Sequence, residues 1–163
     1  MRKNYTVKYR RKRAAITDYK KRLRLLACDK DRLVIRRSNN NFVVQVVRYE
    51  AAGDKVIAMA NAQDLIKLDY KGHKGNRCAA YLIGLICGKK AKEKGIRGCV
   101  LDMGIHRSIA KNSIYAALKG FLESGIEVPH KENMLPTEDM IMGRYINGRD
   151  YPSIINEIKK KIK

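Results

Sequence analysis

The chain has 163 residues and a formal net charge of +20, with 36 lysine and arginine residues against 16 aspartate and glutamate residues. This excess of cations goes beyond what solubility requires and predicts a polyanionic partner. Nucleic acid is the favoured candidate, and an anionic membrane surface is the second. The longest apolar run, 79–87, is far shorter than the ~20 residues of a membrane span, so a membrane protein is not predicted. The four cysteines are widely separated; neither a zinc site nor another cofactor is predicted, and reduced thiols in a cytosol are expected.

The first 24 residues are strongly basic. They carry eleven lysine and arginine residues against the single acid Asp18, and interleaved tyrosines offer flat faces for stacking on bases: Tyr5, Tyr9 and Tyr19. Between Ala14 and Cys28 the apolar residues follow a roughly helical spacing. The pattern predicts that residues 1–27 form an RNA-binding arm that ends in a helix, and a solvated tail is the alternative.

Residues 32–47 predict a β-hairpin. Two stretches rich in β-branched residues flank the polar break Ser38-Asn39-Asn40-Asn41, where asparagine tolerates the positive φ of a tight turn. Apolar residues lie on both faces of the second strand, which predicts a sheet covered on both sides. Arg36 and Arg37 beside the turn supply donors for phosphate and base edges, although a solvated turn on a basic protein explains them equally well.

A third strand, 55–61, extends the hairpin into a meander. Residues 63–75 are predicted as a loop. This loop either contacts RNA through Lys71 and Lys74 or only connects two elements, and contact is the favoured interpretation.

Two helices and one buried strand complete the predicted core. Asn76 caps a long helix that ends before Gly95, and a second amphipathic helix begins at Asn112 or Ser113. The apolar stretch 98–102 between them is typical of a strand inside a covered sheet. Strand, helix and strand in this order predict a parallel crossover and hence an α/β fold.

The second helix is predicted to stop at Gly125 and to be followed by an edge strand over 126–128. One further short helix is predicted to about Ile146 and another from Tyr151 to the C-terminus. The last helix is amphipathic and basic, compatible with docking on protein through one face and on RNA through the other. The predicted organisation is an arm, 1–27, a core, 28–130, and a helical extension, 131–163.

Several stretches, taken together and in order, resemble the large-subunit ribosomal protein L eighteen family in its archaeal form, which is related to the eukaryotic ribosomal protein L five. They are Tyr19-Lys20-Lys21-Arg22-Leu23-Arg24-Leu25-Leu26, Arg32-Leu33-Val34-Ile35-Arg36-Arg37-Ser38-Asn39, Gly75-Asn76 with Ala79-Ala80-Tyr81-Leu82-Ile83-Gly84, Leu101-Asp102-Met103-Gly104, and Gly125-Ile126-Glu127-Val128-Pro129-His130. The resemblance covers nearly the whole chain.

This resemblance implies a structural protein of the large subunit of cytoplasmic ribosomes. It implies binding to 5S rRNA and help in attaching it to 23S rRNA in the central protuberance, beside the protein called L five in the bacterial nomenclature. It also implies the three-layer translational-machinery fold, a mixed sheet flanked by helices as in ribonuclease H. Residues expected to face RNA, from the matched motifs and the basic loops, are Arg10, Arg11, Arg13, Lys21, Arg22, Arg24, Arg36, Arg37, Ser38, Asn39, Lys71, Lys74, Arg107 and Lys111.

The alternative function is a metal-dependent nuclease, because the implied architecture is shared with such enzymes. Two-metal catalysis needs clustered carboxylates, but Asp102 is the only carboxylate in its predicted strand, and Asp64 and Asp69 lie in the predicted loop. We therefore predict no enzymatic activity, no catalytic residue and no metal. Asp102 is instead expected to accept hydrogen bonds from nearby backbone or from an arginine.

Overall fold

The computed structural model describes residues 6–146 and 150–162. Four strands form one mixed sheet in the order β3-β2-β1-β4. Their bounds are Asp31–Arg37 for β1, Phe42–Arg48 for β2, Lys55–Asn61 for β3 and Cys99–Asp102 for β4. β2 pairs antiparallel with both β1 and β3, and β4 pairs parallel with β1. The predicted meander, parallel crossover and α/β class are confirmed.

Helices precede, connect and follow these strands. The helices are α1 (Arg10–Arg13), α2 (Tyr19–Leu26), α3 (Ala62–Lys67), α4 (Arg77–Glu93), α5 (Ser113–Leu122), α6 (Glu138–Met142) and α7 (Tyr151–Ile162), with a 3-10 turn at Glu132–Met134. Among the described residues, no helix is long and apolar enough to cross a membrane.

The main core lies between one face of the sheet and the pair α4 and α5. Leu33, Ile35 and Val44 point from this face and are fully buried. The two helices touch through glycine: an ideal Cβ at Gly84 would lie 2.0 Å from the backbone oxygen of Ala117 in α5. Only a residue without a side chain permits this approach, so the stripe of small residues along α4 brings α5 into backbone contact.

The opposite face of the sheet is covered only in part. Val34 is 9% exposed and Arg32 2% exposed on this face, whereas Val43 and Gln45 are half-buried. The element that approaches this face is α2, whose eight residues include none that is buried. The prediction of a sheet covered on both sides therefore holds fully for one face alone.

The loop predicted over 63–75 was wrong in its first part, because α3 occupies Ala62–Lys67. The Asn61 side chain accepts a hydrogen bond from Gln63 N at 2.8 Å, and Asp64 accepts one from Asn61 N at 3.0 Å. This capping box is visible in the sequence as an asparagine followed three residues later by an acid.

Other elements were predicted to be longer than they are. The arm helix begins at Tyr19, not Ala14, because Ala15 has a positive φ of 50° and Asp18 caps the helix. The predicted edge strand over 126–128 is reduced to a single parallel bridge between Gly98 and Glu127. Further along, α6 stops at Gly143, whose φ of 68° is left-handed, and not near Ile146. Tyr5, predicted to stack on a base, lies outside the described residues, as does Lys163, the last residue of the predicted C-terminal helix.

Candidate nucleic-acid interface

One edge of the sheet gathers segments that are far apart in the sequence. β1, β3 and β4 run in the same direction, so their carboxyl ends meet at this edge. The hairpin turn 38–41, the loop 68–76 before α4 and the loop 103–112 before α5 all leave from it. Ligands in α/β proteins bind preferentially outside the carboxyl ends of strands, and this edge holds most of the predicted RNA-facing residues.

The hairpin turn and the loop before α4 are in direct contact. Ser38 N donates to Asn41 O at 2.9 Å and closes the turn, leaving Ser38 and Asn39 exposed. An ideal Cβ at Gly75 would lie 1.9 Å from the backbone oxygen of Asn39, so glycine is needed for the loop to reach the turn. Lys74 is half-buried beside this contact.

Lys71 does not join the turn. It lines a separate pocket with Leu68 and Asp69 of its own loop and with Ile154 and Lys161 of α7. The structure therefore separates the two lysines of this loop, and only Lys74 lies next to the hairpin.

The arm joins the same edge through α2. A groove of about 510 Å³ runs between arm and sheet, and its lining cations are Arg11, Lys21, Arg22, Arg36 and Arg37. Lys21 Nζ donates to the backbone oxygen of Gly104 at 3.0 Å, which fixes α2 against the loop after β4. Five predicted RNA-facing residues thus share one concave surface.

Beneath this groove, acids and arginines alternate in a chain of ion pairs. Arg32 pairs with Asp102 at 3.2 Å and with Asp54 at 2.7 Å, Asp54 also pairs with Arg22 at 2.8 Å, and Asp102 pairs with Arg36 at 3.3 Å. Burial acts to raise the pKa of Asp54, but the hydrogen bonds from Arg32 and Arg22 outweigh it and hold that pKa below its ordinary value.

Asp102 has the structural role predicted for it. Besides its two arginine partners, it accepts a hydrogen bond from Gly104 N at 2.8 Å, and it is 6% exposed. A buried carboxylate needs hydrogen-bond partners, and two arginines and one backbone N–H supply them here. Asp102 therefore connects Arg32 and Arg36 of β1 to the loop after β4.

The two neighbouring arginines at the end of β1 differ. Arg36 donates to the backbone oxygens of Asp102 at 2.8 Å and Ile35 at 3.1 Å in addition to its ion pair, so much of its guanidinium is already engaged. Arg37 is exposed, and no ion pair or side-chain hydrogen bond engages it within residues 6–146 and 150–162. Of the two, Arg37 is the better placed to meet an external anion.

The remaining predicted residues are spread around this edge. In the arm, Arg10, Arg13 and Arg24 are exposed, and Arg11 Nε donates to Thr17 Oγ1 at 2.9 Å. In the loop after β4, Arg107 and Lys111 are also exposed. Lys111 has a positive φ of 59° and its backbone N–H donates to Met134 O at 2.9 Å, which ties this loop to the C-terminal extension.

Arg77 is a residue that sequence reasoning missed. It is the first residue of α4, is exposed, and lines a second pocket together with Arg37. A cation is unfavourable at the positive end of a helix dipole, and the first turn of α4 contains no acid to offset it. That mismatch between residue and position was a signal available in the sequence.

Neither metal binding nor thiol chemistry is suggested by the side chains of this interface. Among the described residues, no three or more His, Cys, Asp or Glu side chains come together in a way that would hold a metal ion. Burial raises the pKa of Cys78 to about 11 and that of both Cys87 and Cys99 to about 12, so these thiols stay protonated at neutral pH.

Comparison with known proteins decides the family. The family model described as ribosomal large subunit proteins 60S L5 and 50S L18 matches residues 3–97, more than half of the chain. The large ribosomal subunit protein uL18 of the archaeon Methanococcoides burtonii is 41% identical over 162 residues, which cover 97% of this chain and 94% of that relative. The chain belongs to this L5/L18 family.

Membership of the L5/L18 family confirms the resemblance seen in the sequence. The protein is a structural, non-enzymatic component of the large ribosomal subunit in the cytoplasmic ribosome. The nuclease alternative is thereby set aside. The cationic edge described above belongs to a protein whose setting is ribosomal RNA and other ribosomal proteins.

Proposed function

We propose that this L5/L18 family member binds 5S rRNA and helps attach it to 23S rRNA in the central protuberance, beside the protein called L five in the bacterial nomenclature. The observation that carries the proposal is the groove in which Arg11, Lys21 and Arg22 of the arm lie opposite Arg37 of the hairpin. A concave, cationic surface of this kind follows a phosphate backbone, and exposed amide and hydroxyl groups beside it are suited to unpaired bases.

The proposed roles differ along the chain. Residues 1–27 act as the RNA-binding arm, 28–130 as the core that presents the hairpin turn, and 131–163 as an extension that supports the core. In this division the arm supplies phosphate contacts, which set affinity and its salt dependence. Asn39 at the exposed turn supplies neutral donors and acceptors that distinguish bases, and Ser38, whose hydroxyl donates to Asn41 O at 3.1 Å, supplies its oxygen as an acceptor.

The side-chain contacts also suggest how the surface is kept ready for RNA. Arg36 and Lys21 are bonded to the backbone of the β4 end and its loop, so they shape the groove. Arg37 is directed to solvent and makes no such contact in the described part of the chain. We therefore assign Arg37 to direct RNA contact and Arg36 to both contact and support.

The test is binding of purified protein to 5S rRNA, with an unrelated RNA of similar length as competitor. Arg37→Ala is expected to weaken binding by about tenfold or more, because a charge-assisted hydrogen bond is worth about 1.5 to 3 kcal/mol, while the melting temperature stays unchanged. Arg36→Ala is expected to lower both affinity and melting temperature.

The matched control is Arg97→Ala, which removes an exposed arginine before β4, at the opposite edge of the sheet. It should bind 5S rRNA like the wild type at each salt concentration. Equal affinity for 5S rRNA and the competitor would overturn the proposed function. Unchanged affinity in Arg37→Ala would overturn the assignment of that residue alone.

A further inference from the structure

The C-terminal helix begins beneath the loop that reaches the hairpin turn. Tyr151 is the first residue of α7, and its side chain is buried. An ideal Cβ at Gly72 would lie 2.9 Å from Cε1 of the Tyr151 ring, and the backbone N–H of His73 donates to the Tyr151 hydroxyl at 3.5 Å. Tyr151 therefore contacts two consecutive residues of the loop before α4, although 78 positions separate it from His73 in the sequence.

A second tyrosine faces the same glycine. Tyr70 is buried, and the ideal Cβ at Gly72 would lie 2.4 Å from its hydroxyl oxygen. That hydroxyl donates to Asn76 Oδ1 at 3.4 Å, at the start of α4. An added Cβ would thus meet Tyr70 and Tyr151 together, so only glycine fits against the two side chains. Close packing of this kind leaves the backbone at Gly72 a single position.

From this glycine the loop continues to the hairpin turn. Gly75 N donates to His73 Nδ1 at 3.1 Å, which closes the loop into a compact bend. Gly75 packs on the backbone of Asn39 with no room for a side chain. A continuous series of contacts therefore runs from Tyr151 through the loop to the hairpin turn.

The other side of the turn is anchored to the core. Asn41 Oδ1 accepts a hydrogen bond from Ala62 N at 3.1 Å, at the start of α3, and Asn41 O accepts from Ser38 N at 2.9 Å. The exposed Asn39 instead packs on the loop before α4. That loop therefore sets the position of Asn39, the residue to which base contact is assigned.

We propose that Tyr151 is a positioning residue for RNA recognition: its ring holds the loop before α4, and the loop keeps Asn39 in the position that meets 5S rRNA. The inference rests on the proposed function and deepens it, because it gives the C-terminal extension a part in RNA binding. Residues that contact a ligand need supporting side chains that hold them within about 0.5 Å of the productive geometry. A turn that is already in place also avoids the loss of conformational entropy on binding.

Two substitutions of Tyr151 test the role of the ring. Tyr151→Ala frees Gly72, so affinity for 5S rRNA should fall by about tenfold, which corresponds to one or two hydrogen bonds at the turn. Tyr151→Phe keeps the ring and should restore affinity to within about twofold of the wild type. The matched control is Ile155→Ala, which removes a fully buried side chain one helical turn further along α7. It should lower the melting temperature and leave the affinity unchanged.

Amide hydrogen exchange in the free protein measures the order of the loop and the turn. The N–H groups of Ser38 and Gly75 are hydrogen-bonded within the turn and the bend. Both should exchange faster in Tyr151→Ala than in the wild type or Tyr151→Phe. A general loss of stability, as in Ile155→Ala, should instead speed the exchange of amides in the buried core.

Gly75→Ala tests the other end of the contact series and does not depend on whether Tyr151→Ala folds. Its Cβ would lie 1.9 Å from the Asn39 oxygen, so the loop and the turn must move apart. Affinity for 5S rRNA should again fall by about tenfold. The matched control is Gly98→Ala, whose Cβ would lie 3.5 Å from the Glu127 oxygen, an ordinary contact. It should bind 5S rRNA like the wild type.

The experiment measures melting, hydrogen exchange and 5S rRNA binding of the wild type and these five variants, with binding at a temperature at which each is folded. Weaker binding by Tyr151→Ala and Gly75→Ala, with the other three like the wild type, supports the inference. Wild-type affinity in Tyr151→Ala, or an equal loss in Ile155→Ala, would show a role in stability alone and overturn it while the proposed function stands. If Tyr151→Ala does not fold, wild-type affinity in Gly75→Ala overturns the inference. Failure of the wild type to bind 5S rRNA overturns the proposed function itself.

Discussion

The two ends of the chain are both basic and helical, yet they are attached to the core in different ways. Neither α1 nor α2 of the arm has a buried residue. In contrast, α7 buries Tyr151, Ile155 and Ile158 against the core. The difference lies in the apolar residues: α7 repeats them at helical spacing on one face, whereas the arm disperses them among cations. Charge alone therefore does not tell an RNA-binding arm from an integral part of the fold.

Polar contacts follow the same division. The arm is held by individual bonds, from Lys21 to the Gly104 oxygen and from Arg22 to Asp54. In the extension, polar contacts lie around the buried apolar face of α7. Lys159 Nζ lies 4.6 Å from the centre of the Tyr81 ring and pairs with a glutamate of the core. Exposed ion pairs contribute little to stability, so the arm is the segment that RNA can reposition at small cost.

Deletion of residues 1–24 should have the largest effect on RNA binding. If the arm covers about six phosphates, the slope of log affinity against log salt should flatten by roughly 4 to 5, which corresponds to a loss of about 10⁴- to 10⁵-fold at 0.1 M salt relative to 1 M. The folded core should remain, because the deletion removes no buried residue among those described. A salt series with 5S rRNA and circular dichroism of both proteins measure the two halves of this prediction.

Either half of this prediction can fail separately. An unchanged slope would show that the arm is a solvated tail. A collapsed dichroism spectrum would show that the arm belongs to the core.

Ile155→Ala should reduce the free energy of unfolding by about 2 to 5 kcal/mol, because the side chain is fully buried and its removal leaves a cavity. The matched arm variant is Leu23→Ala, at a position 70% exposed in α2, and it should change stability by less than about 0.5 kcal/mol. Urea denaturation measures both. Equal losses from the two variants would remove the distinction between the ends of the chain.

The attachment of the arm should depend on pH. The pKa of Asp54 is lower in the folded protein than in the unfolded chain, so its contribution is fully present above the unfolded pKa near 3.8 and is lost as the pH falls through the folded pKa. Asp54→Asn should therefore cost about 1 kcal/mol at neutral pH and progressively less below about pH 4. Ile155→Ala, measured alongside, should cost the same at each pH. A cost of Asp54→Asn that does not change with pH would show that the ion pairs of Asp54 with Arg32 and Arg22 do not contribute to stability.

Much of the fold was predictable because local signals agreed with one another. Asn76 and Asn112 cap the two helices of the core as expected, and the hairpin, meander and parallel crossover follow from β-branched runs and helix boundaries. α3 was missed because lysines in 63–75 were given more weight than the capping box that starts at Asn61. The loop interpretation followed composition where a local hydrogen-bond pattern decided the structure.

The candidate site was predictable in composition and not in arrangement. The cations of the arm and of the hairpin turn were recognised, but the sequence does not show that Arg36 is bonded to Asp102 while Arg37 is left to solvent. It also does not show that Lys71 lies beside α7 and Lys74 beside the turn. The second pocket depends on two helices that start side by side, which is a property of packing at long sequence separation.

The outer edge of β3 has a consequence for the protein before it reaches a ribosome. This strand lies at the edge of the sheet and exposes Val56 and Met59. An edge strand with exposed apolar side chains favours the addition of a strand from another chain, which begins aggregation. Two ammonium groups from α4 occupy the backbone acceptors there: Lys94 Nζ donates to Ile57 O, and Lys90 Nζ donates to Met59 O at 3.2 Å. A second copy approaching this edge would meet both occupied carbonyls and like charge. The lysines at the end of α4 thus oppose the addition of a strand from a second copy at this edge of the sheet.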